Sequence, residues 1–284
     1  FKNPIVADSY EPGSTFKVFL AIAALEKNMN EKTSVYCEQG RYIVNNKVIG
    51  ESEGHRFGWL TLKDVIKHSS NIGVSKIGLN IGKSYLYQRL SDFGFGSKTG
   101  IDLPGESKAI LPTTDNWSEH TTAAISFGQG VSTTSIQLIS AYASIANGGK
   151  LIQPKIVKEL ISRENLEINS SKSDKIVIDP KTAERTAQIL KSVTDMDGTG
   201  FNARVEGFSV AGKTGTAQVP DLKRGGYLKD SYTSSFVGFV PVINPKLVTL
   251  VVLHHPRVGK YGGVVAAPAF SSIIADSFRI MNVR

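Results

Sequence analysis

The chain has 284 residues, 40% apolar and 20% charged, enough to bury a full core as one large domain or two modest ones and unlike a disordered or fibrous chain. Its formal net charge of +8 suits an anionic partner, but Lys and Arg are scattered, with no basic run and little aromatic interleaving. The charge therefore reads as solvated faces or as a fit to an anionic envelope or membrane surface, and no nucleic-acid partner is expected.

Along the chain, Pro12-Gly13 signals a turn and Ser14 is a good N-cap, so a helix is expected from Ser14 to Lys27. Its apolar residues surround nearly the whole circumference, which predicts burial on most sides. The lone cysteine, Cys37, rules out an intrachain disulfide and a C-x-x-C metal or redox motif, and reads as a small buried hydrophobe. Residues 61–82 read as helix interrupted at Ser69-Ser70-Asn71, followed by a helix over Tyr85–Phe93. The Gly- and Pro-rich stretch Phe93–Pro112 reads as loop, and Thr133–Ala146 as an amphipathic helix ended by Asn147-Gly148-Gly149. Leu151–Ile178 reads as a hairpin-like excursion around a polar middle, Asn169–Lys175. Pro180 opens a helix to about Asp195. Phe208–Gln218, Thr233–Val242 and Leu247–His254 read as strands, the last two joined by a turn at Asn244-Pro245, and Pro268–Met281 closes as helix. No apolar run reaches the length of a membrane span, and no signal peptide opens the chain, so any anchor or export signal is expected upstream. The pattern is α+β, a helix-rich middle between a buried first helix and a C-terminal sheet.

Three strings in this frame carry chemistry. Ser14-Thr15-Phe16-Lys17 puts a hydroxyl and an amine one turn apart on one helix face. Burial on an apolar helix favours a neutral Lys17 able to take the Ser14 proton, and the helix N-terminus favours the anion that follows. Ser69-Ser70-Asn71 offers Ser69 as a hydroxyl to relay protons and Asn71 as an amide to hold Lys17 and a substrate carbonyl. Lys213-Thr214-Gly215-Thr216 ends a strand-like run, where Lys213, Thr214 and Thr216 suit a carboxylate and Gly215 leaves room for a peptide along the strand edge. S-x-x-K, S-x-N and K-T-G in this order form a known motif set for serine acyl transfer without histidine.

Two strings mimic other sites. Lys98-Thr99-Gly100 is a second K-T-G, but it sits in the Gly/Pro loop. Gly207–Thr214 matches the P-loop pattern, which requires a following helix, whereas Val219-Pro220 and Gly225-Gly226 follow here. The five histidines lack zinc spacing, and neither metal nor cofactor is expected; His254-His255 reads as a surface pair at a strand end.

The wider sequence resembles the class B penicillin-binding proteins, the monofunctional D,D-transpeptidases. The similar strings are Tyr10–Lys17, His68–Lys76, Phe93–Gly96 with Asp102–Glu106, Ser126–Gly130, Gly207–Gln218, Ser235–Pro241, and Tyr261–Gly263 through Ala266–Pro268. Within the class the chain is most similar to the septal, division-associated branch, with the elongation branch next. The resemblance implies the penicillin-binding-protein transpeptidase or serine β-lactamase-like fold: a five-stranded antiparallel sheet with flanking helices plus an all-helical lobe. The helical lobe is expected at roughly 28–150 and the α/β lobe at roughly 1–27 and 205–284 of a transpeptidase domain spanning 1–284. The family's domain begins with strand-forming sequence ahead of the nucleophile, so the sheet is expected to lack strands here, and the pedestal and membrane anchor lie upstream.

The implied function is cross-linking of peptidoglycan stem peptides and irreversible acylation by β-lactams, at the extracytoplasmic face of a bacterial membrane. A glycosyltransferase and cell-division or elongation membrane proteins are the implied partners. Ser14 is the implied nucleophile and Lys17 its base, with Ser69 and Asn71 the shuttle and positioning pair. Lys213, Thr214 and Thr216 would bind the donor carboxylate, and the N–H groups of Ser14 and Thr216 would form the oxyanion hole. Two rival readings share part of this pattern. A β-lactam-sensing domain has S-x-x-K and K-T-G, but not the matches over 93–106 and 261–268. A serine β-lactamase of class A has an E-x-x-L-N string, absent here between the second and third motifs.

Overall fold

The computed structural model describes residues 2–158, 174–221 and 223–283. Pro12-Gly13 leads into a 3-10 turn, Gly13–Phe16, which runs straight on into helix α1, Lys17–Glu26. Ser14 does not cap it: Pro12 holds the cap position without a side-chain bond, and the Thr15 hydroxyl donates to the Pro12 carbonyl at 2.8 Å. Every residue of α1 from Lys17 to Leu25 is buried, as its all-round apolar surface demands. Phe16 and Phe19 meet Phe93 and Phe95 with ring centroids 4.6–4.9 Å apart, and Tyr142 stands edge-on to Phe19. Burying each such side chain contributes about 1.5–3 kcal/mol, so α1 is the anchor of the main core.

Two small antiparallel ribbons follow, both passed over in the sequence reading. Strands β1 (Arg41–Val44) and β2 (Lys47–Gly50) form a hairpin across Asn45-Asn46. Both asparagines have positive φ, 48° and 62°, which asparagine tolerates in tight hairpin turns. Ser34–Tyr36 pairs with Trp59–Thr61. The helix-rich middle of the chain thus also contains sheet.

Helices α2 (Leu62–Lys67), α3 (Asn71–Ile81) and α4 (Lys83–Asp92) come next, broken at 68–70 as expected. Thr61 caps α2 by accepting from the Asp64 N–H, and Ser70 caps α3 by accepting from the Gly73 N–H. After α5 (Glu119–Ser126), helix α6 (Ser135–Ala146) opens with a Thr134–Gln137 capping box. Gln137 Nε2 donates to the Ser97 and Lys108 carbonyls at 2.7 and 2.9 Å, tying down the 93–112 loop. Lys150–Leu151 pairs with Lys175–Ile176 at the base of the predicted excursion. Its polar middle, Asn169–Lys175, lies outside the described residues up to 173. Helix α7 (Pro180–Ser192) starts where Asp179 accepts from the Thr182 N–H.

Strands β3 (Ala211–Pro220), β4 (Tyr227–Val240) and β5 (Leu247–His254) form an antiparallel sheet in the order β5-β4-β3. Among the described residues it has three strands, where the resemblance implies five. Ahead of the nucleophile the chain forms a helical turn, Pro4–Ala7, capped by Asn3, and then a two-residue strand, Ser9–Tyr10, which pairs with Thr133–Thr134 and not with this sheet. Strand alternation splits β4 between two cores: Val237 and Phe239 join the α1 core, while Phe236 and Val240 pack with Phe270, Ile274 and Phe278 of helix α8, Ala267–Ile280. By composition Gly262–Ile280 is long and apolar enough to cross a bilayer, with mean hydropathy 1.2, unlike the sequence expectation. Here it buries that aromatic stripe on the sheet and exposes Asp276 and Arg279.

Candidate active site

The nucleophile turn is held from three sides. Tyr142 of α6 donates its buried hydroxyl to the Thr15 carbonyl at 2.7 Å. The Gly13 N–H donates to the Gly128 carbonyl at 3.1 Å, and Glu11 Oε1 accepts from the Gly130 N–H at 2.9 Å. The backbones pass so closely that a Cβ on Gly128, whose φ is +79°, would lie 2.2 Å from the Gly13 carbonyl oxygen. The Ser126–Gly130 string is therefore a brace for the turn. Ser14 itself is half-buried and lines a cleft of about 720 Å³, within the usual range for ligand sites.

Lys17 has no exposed surface. Burial pushes its amine down to about 7, against the opposing pull of the Glu51 carboxylate. The expected bond to Ser14 is not formed. Lys17 Nζ instead meets the Ser69 carbonyl at 2.5 Å, Asn71 Oδ1 at 2.7 Å and Ser69 Oγ at 3.1 Å. Two of these partners can only accept. A neutral amine with two N–H groups committed to them keeps its lone pair for a hydroxyl. Ser69 is held at φ 60°, a left-handed conformation unusual for serine.

Lys213, on β3, is also without exposed surface. Burial, and then the nearby Lys17 charge, hold it well below the usual lysine range. Its Nζ reaches the Thr214 carbonyl and hydroxyl, both at a long 3.3 Å. Thr214 Oγ1 donates to Thr199 Oγ1 at 3.0 Å, and Thr216 Oγ1 accepts from the Gly262 N–H at 3.0 Å, leaving its own O–H to donate. A Cβ on Gly215 would lie 2.3 Å from Ser235 Oγ and 2.9 Å from Thr15 Cγ2. The glycine is thus needed to seat the nucleophile turn on the strand, a packing reason apart from the room for a peptide anticipated above.

Ser14, Ser69, Asn71, Thr214 and Thr216 line one cleft, brought from the 3-10 turn ahead of α1, the α2–α3 break and β3, while Lys17, Lys213 and Gly215 lie behind that lining. Other lining residues escaped the sequence reading. Glu51 follows the overlooked β2 strand, and Thr199 sits in Asp197-Gly198-Thr199-Gly200, a turn-like string that could have drawn notice. His55, His68 and His120 also line the cleft, whereas the expected surface pair His254-His255 is exposed and bonds to Thr233 and Ser231. Cys37 is buried behind the second motif, its Sγ 3.5 Å from Ser70 Oγ. The decoys resolve as expected. Thr99 and Gly100 are pinned by the Glu106 carboxylate in a loop, and Lys213-Thr214 continues as strand with no helix.

Residues 1–275 match the family described as the penicillin-binding protein transpeptidase domain. The chain is 38% identical to stage V sporulation protein D of Bacillus subtilis over 288 residues, covering 100% of the chain and 44% of that protein. It is 33% identical to the peptidoglycan D,D-transpeptidase FtsI of Buchnera aphidicola over 285 residues, covering 100% of the chain and 48% of that protein. The chain therefore spans less than half the length of these two relatives. Among solved structures, penicillin-binding protein 3 of Mycobacterium tuberculosis complexed with aztreonam is similar at TM-score 0.90 and 32% identity, over 99% of this chain and 65% of that one. The apo transpeptidase domain of Burkholderia pseudomallei penicillin-binding protein 3 gives TM-score 0.88 and 32% identity, over 99% and 82%.

Proposed function

The chain belongs to the penicillin-binding protein transpeptidase family, and from that premise we propose that it is the acyl-transfer domain of a peptidoglycan D,D-transpeptidase. The observation that carries this reading is the buried Lys17 amine, depressed toward neutrality and bound by Ser69 and Asn71, which line the same cleft as Ser14. Lys17 takes the Ser14 proton as Oγ attacks the donor peptide's carbonyl. The N–H groups of Ser14 and Thr216 receive the oxyanion. The C–N bond breaks, and the proton passes by way of Lys17 and Ser69 to the leaving amine. An acceptor amine then attacks the ester, loses its proton along the same route and regenerates Ser14. Lys213, Thr214 and Thr216 bind the donor carboxylate, whose charge offsets two buried lysines. The two-lobed division of the domain belongs to the same reading and is supported by the convergence of α1, the α2–α3 break and β3 on one cleft.

The relatives named FtsI and stage V sporulation protein D favour the septal branch. This reading places the domain on the extracytoplasmic face of a bacterial membrane, with the anchor in upstream sequence. A glycosyltransferase and division proteins are its partners, and stem peptides and β-lactams its ligands. A hydrolytic β-lactamase is disfavoured because the E-x-x-L-N string that supplies a deacylating glutamate in class A enzymes is absent between the second and third motifs.

The test is acylation by a chromogenic cephalosporin. A stoichiometric burst with little further colour is expected, with the adduct mapped to Ser14 and absent from Ser14→Ala protein. Sustained turnover dependent on Ser14, at the common enzymatic scale of about 1–10³ per second, would make the domain a β-lactamase.

A further inference from the structure

The segment Gly50–Glu51 leaves β2 and lines the cleft beside Ser69 and Asn71. Apart from the ribbon pairing of Gly50 with Arg41, its hydrogen bonds go to the second motif. Glu51 Oε1 accepts from Ser70 Oγ at 2.5 Å, and Oε2 accepts from the Asn71 N–H at 2.6 Å. The Gly50 carbonyl accepts from Asn71 Nδ2 at 3.0 Å. With its amide nitrogen bound there, Asn71 must present Oδ1 to Lys17, which it meets at 2.7 Å. Ser70 Oγ, fixed by Glu51, also accepts from the Gly73 N–H at 2.9 Å and so locks the start of α3. The loop being held contains the strained Ser69, whose carbonyl and hydroxyl are the other partners of Lys17. Contacts this short, with a charged acceptor, belong to the stronger class of hydrogen bond.

We propose that Glu51 is a positioning residue for acyl transfer. Through Ser70 and the Asn71 N–H it holds the second motif in the geometry that orients the Lys17 amine. The proposal rests on the acyl-transfer reading above. It goes beyond the three motifs, because Glu51 lies in none of them and comes from a hairpin that carries no other part of the proposed machinery.

The charged groups that bear on Lys17 are few. Glu51 pulls its amine up against burial, and Lys213 on β3 is the neighbouring cation. Around Glu51 itself lie the buried Cys37 thiol and, beyond it, the Lys76–Glu38 ion pair. Removing the Glu51 charge therefore has a defined sign. The Lys17 ammonium loses its only attractive partner of full charge among these groups, and its deprotonation moves to lower pH. A carboxylate that merely capped α3 would change stability and leave that midpoint in place.

The experiment is the second-order rate constant for acylation by a fluorescent penicillin, measured against pH for wild type, Glu51→Gln and Glu51→Asp, with thermal unfolding to confirm folded protein. Glu51→Gln should lower the high-pH plateau about ten- to a hundredfold, the scale of a lost hydrogen bond to a charged group, and shift the midpoint to lower pH. Glu51→Asp keeps the charge and loses reach, so its midpoint should stay near wild type and its plateau should fall between the other two. A Glu51→Gln protein with the wild-type midpoint overturns the proposal, whatever its plateau. Should Glu51→Gln not fold, Glu51→Asp decides: wild-type rates at all pH values would overturn the proposal, and a lowered plateau at an unmoved midpoint supports it. Ser14→Ala serves as the separate control. Label retained there defeats the acyl-transfer reading itself, independently of Glu51.

Discussion

Helix α1 and strand β3 each bury one lysine beside residues that line the cleft, and the surroundings of the two differ. Lys17 is held by three acceptors at 2.5–3.1 Å and feels a carboxylate. Lys213 has only two contacts at 3.3 Å, both to its sequence neighbour, and feels another lysine. A buried cation is tolerated where its protons are bound and a countercharge is near, and is costly otherwise. Lys17 thus has its hydrogen-bond partners and a countercharge without a ligand. Lys213 lacks a countercharge, which in the proposed reading the donor carboxylate would supply.

The largest expected effect breaks the Lys17 side. Lys17→Arg keeps the charge but cannot readily deprotonate, and should cut the acylation rate by the usual general-base factor, about 10²–10⁴. Wild-type acylation should rise with pH through about 7, since the amine is protonated below that value and free to accept a proton above it. A rate for Lys17→Arg within a few-fold of wild type would place the base elsewhere.

The two lysines also mark how far sequence carries. Both strings are short and contiguous, and each sits beside a readable element: an all-round apolar run for α1 and the strand-like lead-in Phe208-Ser209-Val210 for β3. What escaped is contributed from a distance. Glu51 reaches Asn71 across 20 residues of sequence, from a hairpin with four-residue strands and an Asn-Asn turn. Thr199 reaches Thr214 from a loop. The Ser126–Gly130 string was noticed only through resemblance; its work is backbone contact with Gly13, which side-chain chemistry cannot announce. The Lys17–Ser14 contact, open to helical spacing, is replaced by bonds to Ser69 and Asn71, partners more than fifty residues away that only the fold brings to Lys17.

A smaller effect is expected on the Lys213 side. Lys213→Met removes a cation that waits for an anion, so acylation by a carboxylate-bearing β-lactam should slow by about ten- to a hundredfold, the scale of a hydrogen bond between charged groups. Removing the neighbouring cation also relieves its repulsion of the Lys17 ammonium, so the midpoint set by Lys17 should move to higher pH, opposite to the Glu51→Gln shift. An analogue lacking the carboxylate should lose little further rate in the variant. Equal losses for both ligands would mean that Lys213 supports the strand and does not read the carboxylate.

The smallest effect concerns the second K-T-G. Lys98, Thr99 and Gly100 spell the same string as Lys213, Thr214 and Gly215, and differ only in setting. Lys98 is exposed, its neighbours are fixed by Glu106, and none of the three lines the cleft. An exposed lysine away from such a site contributes within about 0.5 kcal/mol to stability. Lys98→Ala should therefore leave both the acylation rate and the thermal midpoint at wild-type values, in a paired measurement with Lys213→Met. A loss comparable to that of Lys213→Met would mean that the string acts independently of burial, and the contrast between exposed and buried lysine would no longer explain the site.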